Sequence, residues 1–340
     1  MQDLLTTSEQ EQLEFIEQRI ARMEQERQAL IEQAQVRALQ AFTELHGKVV
    51  AVIGGKGGLG SIFTQIFSAA NPMGITFAID LDNQDQAPEL LPHADLVIFA
   101  VPIHQTPALI KHYSQWLKPT AGICDITSIK SPALAAMLEH HQGPVMGLHP
   151  MFGIATPSLD KQLIITCAGR NDEYFAPYLK LFELLGARLV STTAEKHDKI
   201  MTHMQAVRHF NTYLQGLFTS QQGFSISELT AMSSPIYGLE LTMVGRLFAQ
   251  NPELYADIIY DNPASRAALA SYLETVSTAV NALLADNKDE FIKNFTRVQE
   301  FYGDYAPEFL QQSAVILEKA VELKQLDPAM LNNQEENLQE

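Results

Sequence analysis

The 340-residue chain predicts an α/β fold: a doubly wound parallel sheet, followed by an all-helical domain and preceded by one long helix. Three observations carry this. Short apolar runs alternate with helical patterns between residues 48 and 193. The strand pattern stops after Thr193, and only helical periodicity follows. The first apolar run leads straight into a glycine cluster and then into a helical pattern.

Taken in order, residues 8–43 read as one helix. Leu13, Ile16, Ile20, Met23, Leu30 and Ala34 keep 3–4 spacing, with Arg27 interrupting the stripe and charged and glutamine residues on the other faces. His46-Gly47 ends it. Apolar runs at 48–54, 75–80, 95–101, 121–127, 144–148, 162–168 and 187–192 show little alternation, as strands buried on both faces do. Helical patterns then cover 195–220, 226–232, 234–250, 252–260, 263–285, 288–302 and 306–326, and Asp327-Pro328 punctuates the end. The expected organisation is a helix in 1–46, a sheet domain in 47–194, a helical domain in 195–328 and a polar, disordered tail in 329–340.

Composition narrows the class. A hydrophobic content of 46% suits a soluble globular protein. The two cysteines, Cys124 and Cys167, sit in strand-like runs, so no disulfide framework is expected and a reducing cytoplasm fits. The N-terminus is acidic and glutamine-rich, unlike a signal peptide. No apolar run reaches the ~18 residues that a membrane helix needs. The net charge of −17 and the lack of a basic patch argue against nucleic acid.

The glycine cluster is the first functional signal. Val49–Ile53 runs into Gly55-Lys56-Gly57-Gly58-Leu59-Gly60, and the helical pattern Ile62, Phe63, Ile66, Phe67 follows. Asp80 closes the next apolar run, twenty positions after Gly60. That is the context of a Rossmann dinucleotide fingerprint. Gly55 is expected to permit the tight turn, Gly57 to admit a pyrophosphate, and Gly60 to let helix and strand pack, with the helix N-terminus facing the anion. An acid in the position of Asp80 accepts a ribose 2′-OH and repels a 2′-phosphate, which argues for NAD over NADP.

In such sheets ligands bind beyond the carboxyl ends of the strands. His104, Ser128 and His149 each follow an apolar run. A histidine beside NAD suits a general base that removes a hydroxyl proton while hydride leaves the same carbon. His104 is the expected base and Ser128 its orienting partner, while Pro150 points His149 toward a turn role. At 100° per residue, Asp198, Thr202, Gln205 and His209 fall within a ~60° arc, a polar stripe expected to line a cleft. Arg246 lies in an apolar helical pattern and needs an anion, either Glu240 or a substrate carboxylate. The histidines never reach metal-ligand spacing, so no metal is expected.

Several longer motifs then match a known family. Gly147-Leu-His-Pro-Met-Phe-Gly153, Glu195-Lys-His-Asp198, Gln205-Ala-Val-Arg-His-Phe210, Ser233-Ser-Pro-Ile-Tyr237, Gly245-Arg-Leu-Phe-Ala-Gln250 and Leu254-Tyr-Ala-Asp-Ile-Ile259 resemble the prephenate dehydrogenase family over about 48–326. The dehydrogenase half of the enteric fused chorismate mutase–prephenate dehydrogenases is the nearest likeness. The resemblance implies NAD-dependent oxidative decarboxylation of prephenate to 4-hydroxyphenylpyruvate, in tyrosine biosynthesis. It implies His104 as base on the C4 hydroxyl, Ser128 orienting it, and Arg246 gripping the ring carboxylate. It places His209, with His197, Gln205 and Tyr255, around the pyruvyl side chain, and Pro102 with Gly55–Gly60 and Asp80 at the cofactor. It makes His149 more structural than catalytic. A homodimer formed by the helical domain is expected.

Two departures stand out. Only about 45 residues precede the glycine-rich strand, and Arg19, Arg22, Arg27 and Arg37 lie on one helix without the mutase pattern. The expectation is no mutase activity and a remnant helix that packs on a partner subunit. Gly238 stands where the enteric relatives carry arginine. Sibling reactions on 4-amino-4-deoxyprephenate or arogenate therefore stay open, as does an inactive NAD-binding tyrosine sensor.

Overall fold

A computed structural model describes residues 6–324 except 155 and 157; the tail expected in 329–340 lies outside the described residues. The chain divides into two units, 1–198 and 199–340, each taken here by itself.

The first unit opens with α1 (Thr7–Ala41), started by a capping box in which Thr6 and Glu9 satisfy each other's backbone N–H. Phe15, Ile16, Ile20, Met23 and Leu30 of α1 are exposed, while Gln35 reaches the Leu185 carbonyl at 3.1 Å and Phe42 and Leu45 enter the core.

Seven strands follow: β1 (Val49–Ile53), β2 (Ile75–Ile79), β3 (Leu96–Phe99), β4 (Gly122–Asp125), β5 (Val145–Pro150), β6 (Leu163–Arg170) and β7 (Arg188–Thr192). They form one sheet in the order β2-β1-β3-β4-β5-β6-β7. The helices between them are α2 (Gly58–Ala70), α3 (Ala87–Leu90), α4 (Thr106–Ser114), α5 (Ser131–His140) and α6 (Ala176–Leu184). Val50, Val52, Leu96 and Ile98 pack on one face against Phe63 and Phe67 of α2 and Phe182 of α6. Ala51, Ile53, Val97 and Phe99 pack on the other against Ile110 of α4 and Met137 of α5. Alternate side chains thus find a core on each face, which is why these runs carry so little polar alternation.

The expected all-parallel sheet needs one correction. β5 and β6 pair antiparallel, while every other pair is parallel. A parallel return requires a crossover, usually a helix. Residues 151–162 contain no helix among the described residues, so the chain turns back on itself.

The order reverses between β1 and β3, which leave the first strand in opposite directions, so a crevice opens at their carboxyl ends. Ile53 and Phe99 are register partners, and both strands end level there.

The second unit is helical. Helix α7 (Ala194–Met201) carries the chain into it and continues as a π-helical segment, Thr202–Val207, and α8 (Arg208–Ser220). Then come α9 (Ile226–Ala231), α10 (Pro235–Phe248), α11 (Pro252–Tyr260), α12 (Ser265–Leu284), α13 (Lys288–Tyr302) and α14 (Tyr305–Lys324). A Cβ on Gly216 would stand 2.1 Å from the Phe248 ring, so this glycine lets α8 and α10 approach. Much apolar surface stays uncovered: Leu283, Leu284, Phe291, Phe301 and Leu310 are all exposed.

Candidate active site

The turn after β1 is built from backbone. Gly54, not Gly55, takes the left-handed conformation (φ +77), and a Cβ there would lie 2.4 Å from the Ala100 carbonyl oxygen. Gly55 is confined instead by Ala78 and Thr64, each 2.8 Å from the place of its Cβ. The turn role expected of Gly55 therefore belongs to its neighbour, because two adjacent glycines cannot be ranked from sequence. A Cβ on Gly60 would meet the Gly54 carbonyl oxygen at 2.2 Å, so α2 lies hard against the turn. Gly57, the N-cap of α2, is different: nothing lies within 4 Å of its missing Cβ, and no side chain caps the helix. Open space before bare helix amides is what an approaching phosphate needs. Gly58 (φ +46) and Leu59 open the helix behind it.

Asp80 sits just past β2. Its carboxylate accepts the Lys56 N–H at 3.1 Å and the Leu81 N–H at 2.9 Å. These bonds tie the second strand to the glycine loop and fix the carboxylate with lone pairs to spare. The Lys56 ammonium pairs with exposed Asp82 at 2.5 Å. On these observations the first unit fits a dinucleotide.

Pro102 and His104 follow β3 on an exposed 3₁₀ turn, where Nε2 of His104 stands 3.1 Å from the Gln105 amide. Ser128 is half-buried in the turn between β4 and α5. His149 ends β5 and is buried. Its Nδ1 lies 2.8 Å from Nε2 of His197, and Nδ1 of His197 lies 2.8 Å from the Asp198 carboxylate. Asp198 in turn accepts the N–H groups of Lys130 and Ser131, each at 2.8 Å, at the start of α5. Burial pushes the Asp198 carboxyl up, but His197, Ser131 and Lys130 together hold it below the ordinary range, so it is ionised.

That order fixes the tautomers. An ionised carboxylate only accepts, so His197 donates from Nδ1 and accepts at Nε2. His149 then donates from Nδ1, and its Nε2 carries a bare lone pair. Burial holds the His149 imidazole well below its usual pKa, with Lys130 and His197 adding to the effect. This is an oriented neutral base. The sequence reading is corrected in two places. His149 has the support a base requires, whereas His104 is exposed on a turn. His197 is fully buried with both ring nitrogens committed to Asp198 and His149, so it has no nitrogen left for a substrate.

The polar stripe is corrected too. A uniform 100° per residue fails across the π-helical segment, where each residue turns roughly 80°. Asp198 binds the start of α5, Thr202 accepts from Asn262 at 2.8 Å, Gln205 is half-buried, and His209 lines a cleft.

That cleft lies within the second unit. About 270 Å³ in volume, it is lined by Arg208, His209, Thr212, Met243, Arg246, Leu247, Gln250 and Tyr255. The His209 and Tyr255 rings meet edge-on at 4.9 Å. Burial, then Arg208, push the His209 imidazole down to about 4, so it is neutral near pH 7. Arg246 is exposed, and among the described residues it forms no ion pair with Glu240. The structure thus groups Arg246, His209 and Tyr255 as expected, and adds Arg208 and Gln250, which the sequence reading passed over.

Comparisons agree with this architecture. Residues 65–191 match the family model described as prephenate dehydrogenase, nucleotide-binding domain, and 193–297 match prephenate dehydrogenase, dimerization domain. A T-protein of Haemophilus influenzae is 40% identical over 277 residues, covering 81% of this chain and 73% of that one. A T-protein of Enterobacter agglomerans is 41% identical over 275 residues, covering 80% and 72%. A crystal structure of prephenate dehydrogenase from A. aeolicus, in complex with hydroxyphenyl propionate and NAD+, shares the fold with a TM-score of 0.55 at 14% identity, over 75% of this chain and 97% of that one. No helix among the described residues is long and apolar enough to cross a membrane.

Proposed function

Because this chain belongs to the prephenate dehydrogenase family, we propose that it catalyses the NAD-dependent oxidative decarboxylation of prephenate to 4-hydroxyphenylpyruvate, with His149 as the base. The observation that carries the assignment of the base is the Asp198–His197–His149 chain at the end of β5.

NAD, when bound, supplies the hydride acceptor. The chain's own residues hold and orient it. The α2 N-terminus takes the pyrophosphate through the space beside Gly57, and Asp80 takes the ribose hydroxyls. His149 accepts the C4 hydroxyl proton at Nε2, and the developing imidazolium is stabilised through His197 by the Asp198 carboxylate. Loss of the ring carboxylate as CO₂ makes the ring aromatic and drives the step. Arg246 offers a bidentate fork to a carboxylate, and His209, being neutral, offers a hydrogen bond without a charge. Ser128 orients the hydroxyl.

A homodimer through the second unit accompanies this reading. It is supported by the dimerization-domain match and by the exposed apolar faces of α12, α13 and α14.

The test is NADH formation with prephenate and 4-amino-4-deoxyprephenate offered side by side, for the wild type, His149→Asn and His104→Ala. Prephenate turnover that falls roughly 10²–10⁴-fold in His149→Asn, with NAD binding kept and His104→Ala active, is the expected result. Preference for the amine moves the substrate assignment. An active His149→Asn beside an inactive His104→Ala returns the base to His104.

A further inference from the structure

Lys130 is fully buried and belongs to no step described so far. Its Nζ bonds the Asp125 carboxylate and donates to the Leu148 carbonyl at 2.5 Å. Its main-chain N–H donates to Asp198 at 2.8 Å. One residue therefore holds the peptide immediately before His149 and also the carboxylate at the far end of the histidine chain. We propose that Lys130, with Asp125 as its counter-ion, is a positioning residue that clamps both ends of the Asp198–His197–His149 chain and sets the pH range in which His149 works. The proposal rests on His149 being the base.

The surroundings are shaped for this lysine. A Cβ on Gly147 would stand 3.1 Å from Lys130 Cδ and 3.5 Å from Asp125 Oδ1, so the glycine leaves room for the stem between β4 and β5. Asp125 also accepts the Thr127 N–H at 3.1 Å and the Thr127 hydroxyl at 2.5 Å. Joining β4 to β5 does not require charge: a well-packed apolar pair holds strands as well as a buried ion pair, which carries a large desolvation cost. What an apolar pair lacks is a donor for the Leu148 carbonyl and a positive charge near the imidazole.

The groups that act on His149 are Lys130, His197 and Asp198. Asp125 lies on the opposite side of the Lys130 ammonium from the Leu148 carbonyl, so the cationic end of the pair is the one nearer the base. A cation disfavours the imidazolium. Removing the pair makes the imidazolium easier to form, and the acid limb of the kcat/KM profile moves to higher pH.

The experiment compares the full-length wild type, the paired variant Asp125→Asn/Lys130→Met, Gly147→Ala and His149→Asn. The paired variant leaves no unpaired charge, and Gly147→Ala displaces the lysine stem without altering any ionisable group. The paired variant is expected to lose roughly 10- to 100-fold in kcat, with its acid limb at higher pH and its affinity for NAD unchanged. Gly147→Ala is expected to lose kcat by a smaller factor, with little change in KM. If His149→Asn is inactive while both other variants keep the wild-type kcat and acid limb, the clamp is refuted. The same holds if the paired variant does not fold and Gly147→Ala is unchanged. If His149→Asn turns over normally, the base assignment fails, whatever the Lys130 variants do.

Discussion

Two glycines three positions apart in the same turn should fail in opposite ways when each becomes alanine. At Gly60 the new Cβ would lie 2.2 Å from the Gly54 carbonyl oxygen and 3.0 Å from Ala100 Cβ. Unstrained carbon contacts sit near ~3.5 Å or beyond, and the obstacle is backbone with no rotamer to change. Relief requires α2 to back away from the turn, at a cost of about 3 kcal/mol. At Gly57 the new Cβ would meet no protein atom, and φ −117 with ψ 162 suits alanine. The poorer N-cap costs up to about 1 kcal/mol. The smaller entropy of the unfolded chain returns much of that. Its Cβ instead occupies the ground before the bare α2 amides. The expected loss is at least tenfold in NAD affinity, or about 1.4 kcal/mol. Urea unfolding followed by circular dichroism reads the first quantity and calorimetric titration with NAD reads the second. Gly57→Ala that binds NAD like the wild type would refute the placement of the pyrophosphate. Gly60→Ala with unchanged stability would refute the close contact of helix and turn.

Other expectations follow from the same geometry. Asp80→Ala should narrow the preference for NAD over NADP, because the carboxylate that repels a 2′-phosphate is gone; steady-state KM values for both nucleotides measure it, and an unaltered ratio counts against the role. Arg246→Gln should raise KM for prephenate by roughly 10- to 100-fold, as a lost charge-assisted bidentate contact does, while NAD affinity holds. His209 has a folded-state pKa of about 4 against 6.5 when unfolded, so the unfolded chain binds the proton more readily in between. Its contribution is fully present above pH 6.5 and is lost as pH falls through 4. Partial exposure limits it to about 1–2 kcal/mol. His209→Gln should flatten the urea-measured loss of stability between pH 6.5 and 4, and an unchanged slope would show that His209 does not contribute.

The sheet was legible because strands buried on both faces leave apolar runs that no other element of that length leaves. The direction of β6 was not, since direction depends on the connection and not on the strand's own residues. The glycine loop and Asp80 were legible as a set, because their spacing follows from one local unit. The base was not. His104 and His149 both follow strands, and what separates them is an orienting partner 48 positions away, His197. Lys130 was invisible for a related reason: a single lysine after an apolar run reads as a solvated strand end until Asp125 and the Leu148 carbonyl are seen around it. In the second unit, periodicity placed the helices well but misjudged which residues share a face.

The π-helical segment Thr202–Val207 gives that last point a wider meaning. Such a segment is an ordinary helical turn holding one surplus residue. Loss of any single codon within it would leave a chain able to close a regular helix, with unchanged hydrophobicity and no broken core. Yet every side chain from Arg208 onward would swing by about 100° relative to Met201, carrying His209 off the Arg246 cleft. The segment works as a phase adjuster. A shorter relative whose motifs all read correctly could still have its cleft facing elsewhere.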